Sequence, residues 1–420
     1  MKRGPAGRAA VSRAWQAPPA PGIVPLTMSK TSKSDTDGAA RARDELRRAL
    51  APLARPPETR TPAWALGYRA GDYPPWAYTG DAVGLAADAE AGALRALLIE
   101  RGQDPFAGCP AWPGGFVEQR TDRTGHDAAQ RELREEVGPG TIRYFETLDT
   151  YDDNGRDPRQ FAGEIDAASG RWTERGARIV SKAFLALLGE ADITIAPEAG
   201  QDALRAHWAS VYGYLPWEDL REEGGRRLAR QLEAQLRVWA SLGEGRVGAA
   251  RAQRVRRAWG RSLALWNEEL ANERYALLLE AGLVEEAWRD RWGQLRPDVP
   301  RALLAPGGAL AFDHRRMMAD ALSRVRSKMR YTPGVLAALA GRVVTLPALQ
   351  RVVEAVGGRL LHTSNFRRAV VGSHGLLQPA GRHAERAGPG PRPALYAFPA
   401  DVEYARLETS IRLPWTAPRG

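Results

Sequence analysis

The spacing of apolar positions changes character along this chain, and each change predicts a different kind of element. DAVGLAADAE (81–90) followed by GALRALLIERG (92–102) reads as two strands joined by a turn, with Leu94, Leu97, Leu98 and Ile99 gathered between turn-forming residues. Further strands are expected around 141–149 and over RIVSKAFLAL (178–187). Beyond residue 218 the period lengthens. Leu228, Leu232, Leu236 and Trp239 recur at helical spacing, as do Val255, Trp259, Leu263, Trp266 and Leu270, with SLGEGRVG (241–248) as the turn between them. This predicts two or three amphipathic helices dense in Arg and Trp. From Phe312 the pattern predicts a helix over DHRRMMADALSRVRSKM and a second over TLPALQRVVEAVGG, ended by Gly357–Gly358. A short third helix is expected over TSNFRRAVVGSHG with a Thr or Ser cap, then strand, loop and strand over LLQPAGRHAERAGPGPRPALYAF. No internal repeat is visible.

Residues 1–60 lack such a pattern. They are rich in Pro, Gly, Ala, Ser and Arg, include the polar tract SKTSKSDTDG, and read as a disordered basic tail with one short helix over 42–54. Strands and helices mixed in this order give an α+β chain. The expected units are 1–60 (tail), 61–217 (a mixed sheet domain), 218–305 (a helical insertion), 306–405 (a C-terminal unit) and 406–420 (tail).

Composition narrows the function classes. The formal charge of +10 over 420 residues makes nucleic acid or acidic ligands plausible partners. A single cysteine, Cys109, excludes an intramolecular disulfide and fits a reducing cytoplasm. No apolar run reaches the roughly 18 residues of a membrane span, and the basic N-terminus lacks the apolar core of a signal peptide.

RELREEVG (131–138) crowds Glu132, Glu135 and Glu136 onto one edge of a helix, where like charges repel. Ala129, Leu133 and Val137 form the adjacent apolar strip that would face a sheet. Such an oxygen-rich edge suits Mg²⁺ or Mn²⁺, which would neutralise the repulsion and grip a diphosphate. It is preceded by a Gly-rich turn, PGGFVEQ (113–119).

Together the two segments resemble the Nudix box, whose second half is REUxEExGU with U bulky and aliphatic. Gly115 matches its first glycine, and Arg131, Glu132, Leu133, Glu135, Glu136 and Gly138 match the second half. The resemblance implies a Nudix α/β/α sandwich, metal ligation and catalysis by Glu132, Glu135 and Glu136, and hydrolysis of nucleoside diphosphate derivatives. Here the loop is two residues longer than the family's, its internal Glu is missing, with Asp122 or Asp127 as substitutes, and Pro139 replaces the last aliphatic residue.

Residues 321–398 hold twelve Lys or Arg against two acids, Glu354 and Glu385. Basic helices followed by a two-stranded flap outline a winged helix-turn-helix. Asn365, Arg367 and Arg368 lie early in its second helix, where they can reach bases or phosphates, and Arg382, Arg386 and Arg392 lie on the wing. ALAFDHRRMMADAL, YTP and the segment TLPALQRVVEAVGGRLLHTSNFRRAVVGSHGLL, with RPALYAF, are similar to the C-terminal domain of Nudix-related transcriptional regulators of the NrtR type. DDNGRDPRQ (152–160) resembles the same subfamily. The resemblance implies a homodimer that binds double-stranded DNA at genes of NAD metabolism and senses ADP-ribose or a related nucleotide. The segment 218–305 departs from that pattern, since such regulators pass almost directly to the AFDH helix.

Arg156, Asp157 and Arg159 are candidates for a diphosphate or ribose, or for closing their loop by ion pairs. Trp112 and Phe116 flank the glycine turn, where they can stack on a base or pack in the core. His314 and Cys109 read as structural residues. Three functions remain open at this point: a ligand-responsive DNA-binding regulator, a Mg²⁺-dependent pyrophosphohydrolase, and an RNA-associated Nudix protein.

Overall fold

A computed structural model describes residues 41, 44–45, 47–48, 76–118, 120–161, 163–165, 172–174, 178–195, 203–260, 263, 265–292, 299–371, 376–384, 392–402 and 413–415. The expected tail 1–60 falls almost wholly outside these residues, although the described positions of the 42–54 segment are helical.

A mixed sheet organises the first half. Its strands are β1 (Trp76–Asp88), β2 (Ala93–Arg101), β3 (Pro110–Ala111), β4 (Gly114–Phe116) and β5 (Gly140–Tyr151). After a small antiparallel pair, β6 (Gly163–Ile165) and β7 (Trp172–Glu174), come β8 (Arg178–Ile193) and β9 (Ala203–Ser210). The order is β3-β2-β1-β8-β5, with β4 paired to β1 and β9 to β2. β1 and β2 form the expected hairpin, Gly84 opposite Leu97, while β1 and β8 run parallel.

Alternation along the strands separates two faces. Ala82, Leu97, Ile99, Phe184, Ala186 and Leu188 pack with Ala129, Leu133 and Val137 of helix α1 (Gly125–Glu136) and its C-cap. Val83, Leu85, Leu94, Leu98, Leu185 and Leu187 belong to a second core, which continues without a break into the C-terminal third. There, after the long helix α7 (His314–Lys328), come α8 (Pro333–Ala340) and α9 (Leu346–Gly357). α8 lies against β8, β5 and β1, and α9 lies against β2 and β1. These helices, from the region read as a separate DNA-binding unit, cover the sheet's second face. An apolar sheet face has to be buried by something, and here the chain returns to it after more than a hundred residues.

Between these parts lie α2 (Val211–Tyr214), α3 (Glu223–Ser241), α4 (Gly245–Trp259), α5 (Ala271–Glu280) and α6 (Glu286–Trp292), followed by α7 (His314–Lys328). The stripe from Val255 to Leu270 is not one helix. α4 stops at Gly260, which takes φ +66, and a Cβ there would lie 2.4 Å from the Leu265 carbonyl carbon. The chain turns back on itself, and Leu263 and Trp266 are buried from a loop, Trp266 edge-on to Trp259 at 5.9 Å.

The C-terminal unit follows its predicted order. Thr345 caps α9 by accepting from the Ala348 N–H, and Gly358 ends it in the left-handed conformation. α10 (Thr363–Val371) packs inward through Phe366 and Val370. β10 (Val343–Thr345), β11 (Gln378–His383) and β12 (Ala394–Ala397) make an antiparallel sheet in the order β10-β12-β11. Absent from the sequence reading were α8 and β10, and also β9.

Of the 406–420 segment, residues 413–415 are described, and they are bound to the fold. Trp415 pairs with Leu361, the His362 N–H donates to Pro414, and the indole donates to Glu268 at 2.6 Å. The strap therefore clasps the turn between α9 and α10. Trp415→Ala is expected to cost about 2 kcal/mol, less than a fully buried tryptophan because the ring is half-buried. A lower denaturant midpoint at unchanged m-value is the check.

Candidate functional site

Thr124 starts α1 by accepting from the Asp127 N–H at 3.3 Å, and Asp127 answers by accepting from the Arg123 N–H and the Thr124 hydroxyl. The helix brings its acidic edge against the glycine turn of β4. A Cβ on Gly115 would lie 2.1 Å from Glu132 Oε1, so only glycine admits this approach. The Gly114 N–H donates to Glu136 Oε2 at 2.9 Å.

The charge crowding on α1 is relieved from within. Arg131 Nη1 donates to Glu132 Oε1 and to Glu135 Oε2, each at 2.9 Å. Its Nε and Nη2 hold Asp122 at 3.1 and 2.8 Å, and Nη2 also reaches the Phe116 carbonyl at 3.1 Å. Asp122, buried in the loop before α1, is the loop acid that pairs with Arg131, and that hydrogen bonding holds its carboxyl below the usual range. Asp127 serves the helix cap instead.

The three glutamates are not equivalent. Glu136 is buried, and burial, with repulsion from Glu132 and Asp81, pushes its carboxyl up to about 8. Glu132 lies beneath the turn, whereas the Glu135 side chain is 57% exposed and meets Arg131 from the solvent side. Among the described residues no group of three His, Cys, Asp or Glu stands arranged to share an ion, since Arg131 lies between Glu132 and Glu135. Glu132 and Glu136 still have the donor chemistry of a hard dication. The buried Glu136 carboxyl, whose proton affinity burial and Glu132 raise, would be relieved by one. Glu135 can join them only by leaving Arg131.

Beside the turn is a shelf of rings and guanidiniums. Phe116 is 43% exposed, with Arg159 5.2 Å above its ring. Arg159 and Arg101 also face the ring of Phe312, at 5.7 and 4.9 Å. Arg159 is paired with the buried Asp157 at 2.6 Å. Arg156 is spent differently. Only 4% exposed, it grips Asp313 with two nitrogens, at 3.0 and 2.6 Å, and so closes the 152–160 loop onto the start of α7 instead of offering a free cation.

Trp112 is core and not a stacking platform. It is buried and locked to His314, whose Nδ1 accepts from the Trp112 N–H at 3.0 Å while the indole donates to the His314 carbonyl at 2.9 Å. Burial first, then nearby arginines, holds the His314 imidazole well below its ordinary 6.5. A depressed folded value means stability that is present above 6.5 and lost as pH falls below it. His314→Asn is therefore expected to flatten the loss of stability between pH about 6.5 and 5, measured by denaturant midpoints across that range. Cys109 is buried, and its thiol is pushed up to about 11, as suits an inert side chain.

The sequence reading passed over Asp81, Ser181 and Asp313. Asp81 is buried in β1 and accepts from the Thr79 and Ser181 hydroxyls, and desolvation raises its carboxyl. The available signal was a carboxylate inside an otherwise apolar strand, TGDAVGLAA.

On the C-terminal unit, Asn365, Arg367 and Arg368 are exposed on α10, as are Arg382 on β11 and Arg392 before β12. Arg386 lies outside the described residues. The basic excess of 321–398 is partly internal. Arg324 and Lys328 pair with Glu146, Arg326 with Glu218, Arg330 with Glu269 and Arg359 with Glu268. The charge left for a partner is concentrated on α10 and the flap.

Residues 79–231 match the NUDIX domain family. The chain carries a Nudix domain. A 63-residue stretch is 44% identical to the ADP-ribose pyrophosphatase of Methanocaldococcus jannaschii and covers 15% of this chain. This chain spans about a third, 36%, of that relative's length. Among solved structures, Shewanella oneidensis NrtR complexed with a 27mer DNA is similar over 80% of this chain and 99% of its own, at 19% identity and TM-score 0.46. The NUDIX domain of the same protein complexed with ADP ribose matches 33% of this chain and 79% of its own, at 23% identity and TM-score 0.25. No helix among the described residues is long and apolar enough to cross a membrane.

Proposed function

We propose that this chain is a cytoplasmic transcriptional regulator of NAD-related metabolism, which binds ADP-ribose or a similar nucleotide at its Nudix turn and double-stranded DNA through a winged helix-turn-helix. One observation carries the reading. The exposed basic helix α10 rests on α9, α9 rests on the Nudix sheet, and the glycine turn with its carboxylates lies on that sheet, so both surfaces belong to one packed body.

At the turn, the Gly115 backbone would let a diphosphate approach closely, and Arg159 with Phe116 would present a cation and a ring to it. Arg131 orients Glu132 and would release Glu135 to a metal ion. Glu132 and Glu136, joined by Glu135, would hold Mg²⁺ or Mn²⁺, which supplies positive charge opposite the diphosphate. On the DNA side, Asn365, Arg367 and Arg368 would enter the major groove, while Arg382, Arg386 and Arg392 would contact the backbone. A homodimer would place two such helices on successive half-sites.

Helix α7 is the physical link. Its start is fixed beside the turn by Asp313–Arg156 and His314–Trp112, and its middle is tied to β5 by Tyr151–Asp320 at 2.7 Å. Near its end, Arg326 donates to the Val356 carbonyl of α9 at 2.8 Å. A ligand that moves the 152–160 loop changes what holds α7, and through it the seat of α10.

Titrating labelled duplex from promoters of NAD-biosynthesis genes, at stated salt, tests the reading. Preference over competitor DNA and a change in affinity with ADP-ribose are expected. Equal binding to both, unaltered by nucleotide, contradicts it. The carboxylates under the turn favour pyrophosphate hydrolysis as a second reading. Incubation of ADP-ribose with Mg²⁺ or Mn²⁺ checks it, and product formation that survives Glu132→Gln places the activity elsewhere.

A further inference from the structure

Helix α4 carries five arginines, Arg246, Arg251, Arg254, Arg256 and Arg257, and no acid over its 15 residues. Two of them are engaged: Arg254 binds Glu273 and Glu280, and Arg251 lies 4.4 Å above the ring of Trp239. The other three, Arg246, Arg256 and Arg257, are exposed and have no acidic partner among the described residues. At about 100° per residue they share one arc of roughly 120° with Ala249, Ala250 and Gln253, opposite the buried Val255.

Three like charges on one helix face repel one another, and a polyanion laid along the face would relieve that repulsion. The small side chains between the arginines leave room for a backbone to come close. Arg246 and Arg257 are eleven residues apart, about 16 Å along the helix, which matches the rise of about five base pairs of duplex.

The position of α4 is set relative to the winged unit. The carbonyl of Ala258, in its last turn, accepts from Arg274 Nη1 at 2.8 Å. Arg274 also holds Glu218, whose backbone carbonyl accepts from Arg326, the residue bonded to the end of α9. The residues just beyond α4 lead to Glu268, which binds Arg359 and Trp415 beside the α9–α10 turn. A continuous chain of hydrogen bonds thus joins α4 to the turn before α10.

We infer that the α4 face of Arg246, Arg256 and Arg257 is a second DNA-binding surface, gripping the phosphate backbone of the duplex held by α10 without reading its sequence. This rests on the DNA-binding function proposed above and extends its footprint to the helical segment.

The test is the salt dependence of duplex binding by the full chain and by the triple variant Arg246→Gln, Arg256→Gln, Arg257→Gln. A second triple variant, Arg134→Gln, Arg205→Gln, Arg301→Gln, removes as many exposed charges elsewhere. Each lost phosphate contact lowers the slope of log K against log salt by about 0.9, so the α4 variant is expected to lose about 2 to 3 from the slope and bind on the order of tenfold or more weakly at low salt. Its preference between specific and competitor DNA should be unchanged, and the control should keep the parent slope. An α4 variant with the parent slope overturns the inference while leaving the proposed function standing. Equal losses in both triple variants also overturn it, because net charge alone then explains the effect. A parent chain that binds no duplex overturns both proposals.

Discussion

Glu218→Ala is expected to unfold the protein or to cost it most of its stability. Glu218 lies in a short turn before α3, fully buried, with Arg274 and Arg326, also fully buried, on its two oxygens. Burial alone would raise the carboxyl, but the two guanidiniums outweigh it and hold Glu218 below its ordinary range. Removing the carboxylate leaves two cations facing each other without water, and breaking a buried pair in this way costs about 3–5 kcal/mol. The loss reaches across the molecule, because Arg274 belongs to α5, Arg326 to α7, and Arg326 also holds the end of α9. Urea unfolding followed by tryptophan fluorescence measures it. The apolar triple replacement Glu218→Leu, Arg274→Met, Arg326→Met should recover much of the loss, since no buried charge then lacks a partner. A single variant as stable as the parent would show that the triad does not hold these helices together.

That triad marks the limit of what the sequence made legible. Local signals served well wherever the determinant was local. The Gly358 stop and the apolar period of α9 are written within one short segment, and the structure follows them. The β1–β2 hairpin and α1 are legible for the same reason. The continuation of α4 through Leu270 fails because Gly260 outranks a spacing that persists by coincidence beyond it. Charge was read by counting, and counting cannot see that Arg326 ends in a sealed core, or that Arg324 and Lys328 turn toward Glu146 on β5. Likewise nothing local decides whether Arg156 meets a ligand or closes its loop, because its partner lies 157 residues away at Asp313. Long-range pairing also explains why the contact of α8 and α9 with the first sheet was not foreseen: nothing in LPALQRVVEAVG says which sheet it will cover.

Joint replacement Arg367→Ala, Arg368→Ala is expected to weaken duplex binding by about two orders of magnitude with little change in stability. Both side chains are exposed on α10, where Phe366 and Val370 do the packing, so their removal leaves no cavity. Contacts of guanidinium to guanine are worth about 1–3 kcal/mol each, and contacts to phosphate contribute through released counterions. The variant separates these cases. Loss of preference for the operator together with affinity indicates base readout, whereas a uniform loss with a shallower salt slope indicates backbone contact. Unchanged affinity would remove α10 from the interface. Circular dichroism and the unfolding midpoint should match the parent.

The central claim is that nucleotide at the glycine turn and DNA at α10 are felt by the same body. Binding linkage gives the most direct measurement: the affinity for operator duplex with and without saturating ADP-ribose, and the affinity for ADP-ribose with and without saturating duplex. The two ratios must be equal and differ from one, about 5- to 150-fold for coupling of ordinary strength. Two ratios equal to one, with both ligands bound, would mean that the sites share a chain and nothing more.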